Sequence, residues 1–570
     1  MVVTIKNREL FKPFRKYWLK ISLAFLLASI ATAASFVSVK VLALFVDKLS
    51  GENSFNILLN LIVIWLLTEL TGYICNYFAA IWISKIKANI RLEIQMNFFR
   101  QISNSTIQSI NAFTPNALGA LLQDDPMHVV DAVFNILKEI LNVLLGLVSL
   151  VYIWKISSEI FVLFVFSLLV ILFTQIKMKE KQIACFDKSR KASVYFRTIS
   201  EEVFRNFSAI IVQHLQPGIK PEVSNTVQHS KKAELNNELI IHKNRLITCS
   251  ISLVSQTALL IFGTMLYIAA KLSYADFLEI YLYKGKVYDL ATISLQITKE
   301  LSRFRSAVTR LNGLSLALNP REYGSTRPDT ITGTIEVAEL SAYVGTDNHK
   351  VLDNVSFHIK DGEFIGIVGP SGCGKSTLLK CITQVLPHSG KITISGVPLE
   401  QLTKGSLRRL ICFTQQTPHW FDFLSVRENL TLHCPGVEDH EIWHALEKAC
   451  IYDMIKQKGG LDIHITRNEM SGGQLQRLAL AILVLSKSRI LLLDESTSAL
   501  DGDSQKSIVS SIRKTTSNKE HTVLFVAHRI SALRDADRII VMDNGHIVDI
   551  GTYDELNKRC KLFRNLAQNS

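Results

Sequence analysis

Apolar residues run in long unbroken stretches through the first half of the chain, whereas in the second half they form short runs separated by glycines and polar turns. Stretches at residues 18–46, 57–83, 136–156, 160–176, 245–270 and 274–297 match the roughly 17–25 apolar residues that carry a helix across a bilayer, and they predict six membrane spans. The connections at 47–56, 157–159 and 271–273 are short, while those at 84–135 and 177–244 are long and rich in Lys and Arg. Because positive loops stay on the cytoplasmic side, the long connections and both termini are expected there. Their polar residues keep helical spacing, so spans two to five are expected to continue as helices well past the lipid. A polar helix at 301–318 follows the sixth span, and Asn319-Pro320 through Arg327-Pro328 breaks it. Beyond the break, β-branched runs such as 364–368 and 490–494 alternate with helical segments. The pattern predicts an α-helical transmembrane domain of six spans over 1–325, followed by an α/β domain over 326–570.

Composition agrees with this division. The chain has 570 residues and is 48% hydrophobic, with a mean hydropathy of +0.22, high for a chain that also holds a soluble domain. Its net charge of +13 is accounted for by cytoplasmic membrane loops; no basic and aromatic strip of the kind that binds single strands is present, so no nucleic-acid partner is expected. Nine cysteines, odd in number and without metal-ligand spacing, indicate reduced thiols rather than a disulfide framework.

The chemistry concentrates in Glu363–Leu379, EFIGIVGPSGCGKSTLL, which reads strand, glycine-rich loop, helix. That is the setting a phosphate-binding loop requires. Gly369, Gly372 and Gly374 let the backbone curl with its N–H groups inward, and the following helix aims its positive end at the same space. Lys375 is expected on the β- and γ-phosphates of ATP and Ser376 on Mg²⁺, with Ser371, Cys373 and Thr377 completing the nucleotide contacts. Cys373 is expected to have a lowered pKa and an exposed sulfur, from the loop N–H groups and Lys375. The apolar run 490–493 ends in Asp494 and Glu495, two carboxylates that suit the Mg²⁺ shell and the polarisation of an attacking water.

Between these motifs lies Met470-Ser471-Gly472-Gly473-Gln474, and after them come Ser498-Ala499-Leu500-Asp501 and His528. Together, over 335–551, they resemble the nucleotide-binding domain of ATP-binding cassette (ABC) proteins. The whole pattern is similar to the exporter fold in half-transporter form, as in bacterial multidrug, lipid and peptide exporters. The resemblance implies cassettes paired head to tail, with Ser471, Gly472, Gly473 and Gln474 of one copy capping ATP held by the other, and Asp501 also at the nucleotide. By position, Gln416 matches a loop glutamine that touches Mg²⁺, and His528 a histidine that holds the γ-phosphate. The position where the family carries an adenine-stacking aromatic aligns with Val344, a departure from the pattern, with Tyr343 one step earlier as the candidate; a slip of one residue reverses the face of a strand. The segment 464–469 before the signature is shorter than in typical exporters, and Ile482 stands where an arginine is common.

A single membrane half and a single cassette imply a dimer, with itself or with a similar chain, in the inner (plasma) membrane. The sixth span is unusually polar: Glu279, Tyr283 and Lys286 share a helical stripe, with Asp289 adjacent. These residues, with Lys284 and with Glu69 of the second span, are candidates for a solute path. The alternative is internal pairing of Lys286 with Asp289, or of Lys284 with Glu69. A cavity of mixed charge favours efflux of a peptide-like, amphipathic or drug-like solute; the alternative is uptake of a metal-siderophore chelate on the same fold.

Overall fold

The computed structural model describes residues 7–49, 55–328, 330–344, 349–415, 419–494, 520–527 and 530–568. They form two compact units, Met1–Ser103 with Phe113–Ala317, and Asn104–Ala112 with Leu318–Ser570.

The first unit is helical: α1 (Asn7–Lys16), α2 (Trp18–Leu49) and α3 (Phe55–Ser103), then, beyond α4 (Ile107–Asn111), α5 (Pro115–Ile156), α6 (Ser158–Arg205), α7 (Phe207–Val212), α8 (Gln216–Ile268) and α9 (Tyr274–Ala317). Among the described residues, α2, α3, α5, α6 and α8 contain segments long and apolar enough to cross a membrane. α9 falls short on composition because of its charges, as its sequence foreshadows. At 1.5 Å per residue, the 49 residues of α3 and the 53 of α8 reach about 75–80 Å, far past a ~30 Å hydrocarbon core. The long connections are therefore helix, as their spacing predicts. α2 packs along α3, α5 along α9 and α6 along α8. The α5–α6 turn is a single residue: the Ser157 N–H donates to Ile153 O at 2.9 Å, and its hydroxyl accepts from Ile160 N at 3.4 Å. One serine thus ends one span and caps the next.

Among its described residues the second unit contains ten strands: β1 (Ile335–Val344), β2 (His349–Ile359), β3 (Phe364–Val368), β4 (Ser389–Ile394), β5 (Val397–Pro398), β6 (Ile411–Thr414), β7 (Ile490–Asp494), β8 (Thr522–Val526), β9 (Arg538–Asp543) and β10 (His546–Gly551). β2-β1-β4-β5 form an antiparallel sheet, and β10-β9-β3-β8-β7-β6 a second sheet that is parallel except for β10. β3, β7 and β8 are buried at every position. This is why they read as continuous apolar runs rather than alternating ones. α4 and its flanks belong to this unit: Thr106 N donates to Asn319 O at 2.9 Å and Arg321 N to Asn104 O at 2.7 Å. Ser105 and Pro320 thereby form an isolated antiparallel bridge.

Candidate functional site

In a parallel sheet, ligand-handling loops leave the carboxyl ends of the strands. β3 lies between β8 and β9 at the middle of the sheet, and the loop from Gly369 to Gly374 leaves its carboxyl end and enters α10 (Lys375–Ile382). Gly372 and Gly374 have φ of +82° and +103°, values that L side chains resist. A Cβ on Gly369 would lie 2.2 Å from the Met542 carbonyl oxygen, so only glycine fits. Lys375 is 6% exposed, and its Nζ donates to the carbonyls of Gly369 and Pro370, each at 2.8 Å. A buried ammonium needs such partners, and they keep it inside the curl of the loop.

Asp494 ends β7, beside Val526 of β8, and is 4% exposed. Ser376 Oγ donates to its Oδ1 at 2.9 Å. Residues 118 apart in sequence thus place a hydroxyl and a carboxylate together, next to a buried ammonium and a row of loop N–H groups. Hard oxygen donors of this kind suit Mg²⁺, and the cationic loop suits phosphate. The residues present fit Mg-ATP.

Cys373 departs from expectation. It is only 4% exposed, and burial pushes its thiol pKa up, outweighing the lowering by Lys375. Its Sγ lies 3.9 Å from Lys375 Nζ. The sulfur is therefore neither exposed nor acidified, because Met542 and the β9–β10 turn close over this side of the loop. That turn, Asp543-Asn544-Gly545, was not singled out as functional, although Asn-Gly between apolar runs is a strong hairpin signal. The Gly545 N–H donates to the Cys373 carbonyl at 3.2 Å and braces the loop from behind.

The Tyr343 and Val344 alternatives do not separate by face. They are 45% and 39% exposed, since the β1–β2 register slips between Ala342 and Tyr343 and breaks the strand's alternation. In the signature segment, Ser471 caps the helix Gly472–Leu485: its hydroxyl accepts from Gln474 N at 3.2 Å, and Gln474 Oε1 accepts from Ser471 N at 2.8 Å. Gln474 uses its side chain in this capping box, and the helix presents its first N–H groups and the exposed Ser471 and Gly472. Ile482 packs in the core of this unit at 7% exposure, where an arginine would lose its water. Gln416, Glu495, Asp501 and His528 lie outside the described residues.

A family model described as ABC transporter matches residues 352–498, a span that takes in the phosphate loop, the signature and Asp494. Over those residues the chain carries an ABC transporter domain. The chain is 31% identical over 325 residues to the beta-(1-->2)glucan export ATP-binding/permease protein NdvA of Rhizobium johnstonii, covering 56% of this chain and 55% of that one. It is 33% identical to the leukotoxin export ATP-binding protein LtxB of Aggregatibacter actinomycetemcomitans, over 52% of this chain and 42% of that one. With the ATP-dependent lipid A-core flippase of Francisella tularensis it shares 34% identity, over 44% and 41% of the two chains. The chain spans about half the length of the curated relatives it matches. Among solved structures, a bacterial Atm1-family ABC exporter with ATP bound superposes with a TM-score of 0.82 over 98% of this chain and 99% of that one, at 18% identity. At that identity the likeness shows the fold: a helical membrane domain of exporter type followed by an α/β cassette. These relatives are named for export or flipping, and none of them supports the uptake alternative.

The candidate path residues of this chain fall into two groups. Glu279 and Tyr283 are 6% and 2% exposed. Tyr152 of α5 donates to Glu279 Oε2 at 2.6 Å, and Tyr283 donates to Phe36 O of α2 at 2.9 Å with its ring stacked 4.2 Å from that of Phe36. They are engaged in helix packing. Lys286 and Asp289 are exposed on α9. The proposed Lys284–Glu69 pair does not form: Lys284 sits 3.3 Å from the Tyr281 ring centroid, and Glu69 accepts from Ser38 Oγ at 2.5 Å. Sequence gave no sign of these partners, because a cation over a ring and a serine on a neighbouring helix leave no charge pattern.

Proposed function

We propose that this chain is half of an ATP-driven exporter, and that two copies, or this chain with a similar one, hydrolyse Mg-ATP head to tail to move an amphipathic or peptide-like solute out of the cell. The observation that carries the reading is the contact of Ser376 with Asp494 beside the buried Lys375. In this reading Lys375 trades its loop carbonyls for the β- and γ-phosphates, and the N–H groups of Gly372, Gly374 and Ser376 hold the same oxygens. Ser376, Asp494 and Gln416 would hold Mg²⁺, which when bound would supply charge neutralisation to the phosphates. Glu495 accepts the proton of the attacking water, and His528 holds the γ-phosphate from the other side. Ser471, Gly472 and Gly473 of the second copy close over it with the positive end of their helix. The membrane is the inner (plasma) membrane, with both termini and the cassette cytoplasmic, as the basic long connections favour. Domain limits of 1–325 and 326–570 fall at the Pro-rich break.

The test is ATP hydrolysis by the purified chain in lipid. Glu495→Gln should keep nucleotide binding while turnover falls by orders of magnitude, because the amide cannot take the proton. Lys375→Ala should lose binding and turnover together. Near-normal turnover in either variant would refute the assignment.

A further inference from the structure

The end of α10 that lies away from the nucleotide loop closes in a Schellman turn: Gln384 N donates to Cys381 O and Val385 N to Lys380 O, each at 2.9 Å. Glycine is the ordinary residue at the left-handed position of such a turn. Here that position is Gln384, with φ of +55°. Its Oε1 is also buried, with no hydrogen-bond partner among the described residues. A strained backbone and an unmet buried acceptor are both costly, and they persist only where the surroundings hold the residue in place.

The segment that follows α9, residues 318–328, holds it. Arg321 Nη2 donates to the Gln384 carbonyl at 2.7 Å, and Gln384 Nε2 donates to Glu322 O at 3.3 Å. Arg321 is itself fixed at two further points, since its backbone N–H is engaged by Asn104 O and its Nη1 donates to Tyr323 Oη at 3.2 Å. A planar fork with separate donors for two partners suits arginine. Further along, Gly324 N donates to Leu402 O at 3.0 Å, Thr326 N to Gln401 O at 2.9 Å and Thr403 N to Thr326 O at 3.1 Å. The segment is thus strapped to the cassette on both sides of Arg321.

α10 has eight residues and is about 12 Å long, with Lys375 and Ser376 at one end and Gln384 just past the other. Leu378, Leu379, Cys381 and Ile382 are fully buried, so a shift at one end is passed to the other rather than absorbed between them. We propose that Arg321 is a positioning residue: its hold on Gln384 couples the occupancy of the phosphate loop to residues 318–328 and, through Asn104, to the segment that carries α4. The inference rests on the ATP-hydrolysis reading above and adds to it a contact that reports the nucleotide. The competing role is purely structural, in which Arg321 only steadies the left-handed turn.

The experiment is hydrogen exchange read by mass spectrometry on the full chain in phosphatidylcholine nanodiscs, with and without Mg²⁺ and the non-hydrolysable analogue adenylyl imidodiphosphate. Binding of the analogue and the unfolding midpoint are measured on the same samples. The analogue should slow exchange about tenfold in peptide 369–379 and in peptide 318–326. In Arg321→Gln the response of 369–379 should remain and that of 318–326 should fall to less than about twofold. Gln384→Gly favours the left-handed turn without help; added to Arg321→Gln, it should restore the midpoint but not the response of 318–326. No response of 318–326 in the unaltered chain, a response that survives Arg321→Gln, or full recovery of the response in the double variant would overturn the inference. If Arg321→Gln binds no analogue, the double variant at a restored midpoint decides: binding without the 318–326 response, or no binding, supports the coupling, and binding with the full response overturns it. If ATP hydrolysis sensitive to Lys375→Ala is present while 318–326 is silent, only this inference falls; if 318–326 responds and no hydrolysis occurs, the ATP-hydrolysis reading falls.

Discussion

Cys373 offers the sharpest check on the geometry of the nucleotide loop, because sequence and structure point in opposite directions. A cysteine in a loop of N–H groups beside a lysine would be expected to ionise readily. In the structure it is 4% exposed, and burial raises its pKa despite Lys375. A thiol at the ordinary value of about 8.5 is roughly 10% thiolate at pH 7.5, and a raised pKa places Cys373 below that. Burial then restricts the reagent as well. Cys450, exposed in the same unit, is an internal standard. With iodoacetamide at pH 7.5, Cys373 should react at least about tenfold more slowly than Cys450, judged by mass spectrometry of the two peptides. Since the pKa is raised, its rate should still climb through pH 9, where that of an ordinary thiol begins to level. Mg-ATP should slow it further. Modification of Cys373 as fast as Cys450 at pH 7.5 would mean that the loop is open and the β9–β10 brace absent.

Two further predictions concern the helical unit. Arg310 of α9 holds Asp125 of α5 through Nε at 2.9 Å, with side-chain exposures of 39% and 5%. Arg310→Gln strands a buried carboxylate and should cost about 2 kcal/mol, less than for a fully buried pair because the arginine is partly solvated; Asp125→Asn in the same chain should recover most of it, and additive single effects on the detergent unfolding midpoint would refute the coupling. Tyr152→Phe removes the phenol that serves Glu279 and should destabilise by about 1–3 kcal/mol, with rescue by Glu279→Leu; an unchanged unfolding midpoint in Tyr152→Phe would show that the carboxylate has another partner.

What was legible in the sequence depended on how local its causes are. The loop after β3 is announced by its own glycines, and Ser376 and Asp494 are each recognisable from their neighbours, so their meeting at 2.9 Å follows from a parallel sheet that brings the two strand ends to one edge. The helical extensions of α3, α5, α6 and α8 are legible because polar residues on helical spacing continue past the apolar runs. Cys373 was not legible, since what buries it is a turn more than 160 residues away in sequence, at Asn544 and Gly545. Tyr343 and Val344 could not be separated by alternation, because the register slip beside them is a property of the pairing with β2.

The same distinction governs the charges in the membrane helices. Counting ionisable groups in α9 measures how much polarity the bilayer must accommodate, yet it does not say which surface receives it. Glu279 meets a tyrosine and Lys284 an aromatic ring, so two of those charges are already satisfied within the fold. Glu69 of α3 likewise accepts from Ser38 of α2, a partner supplied by the neighbouring helix.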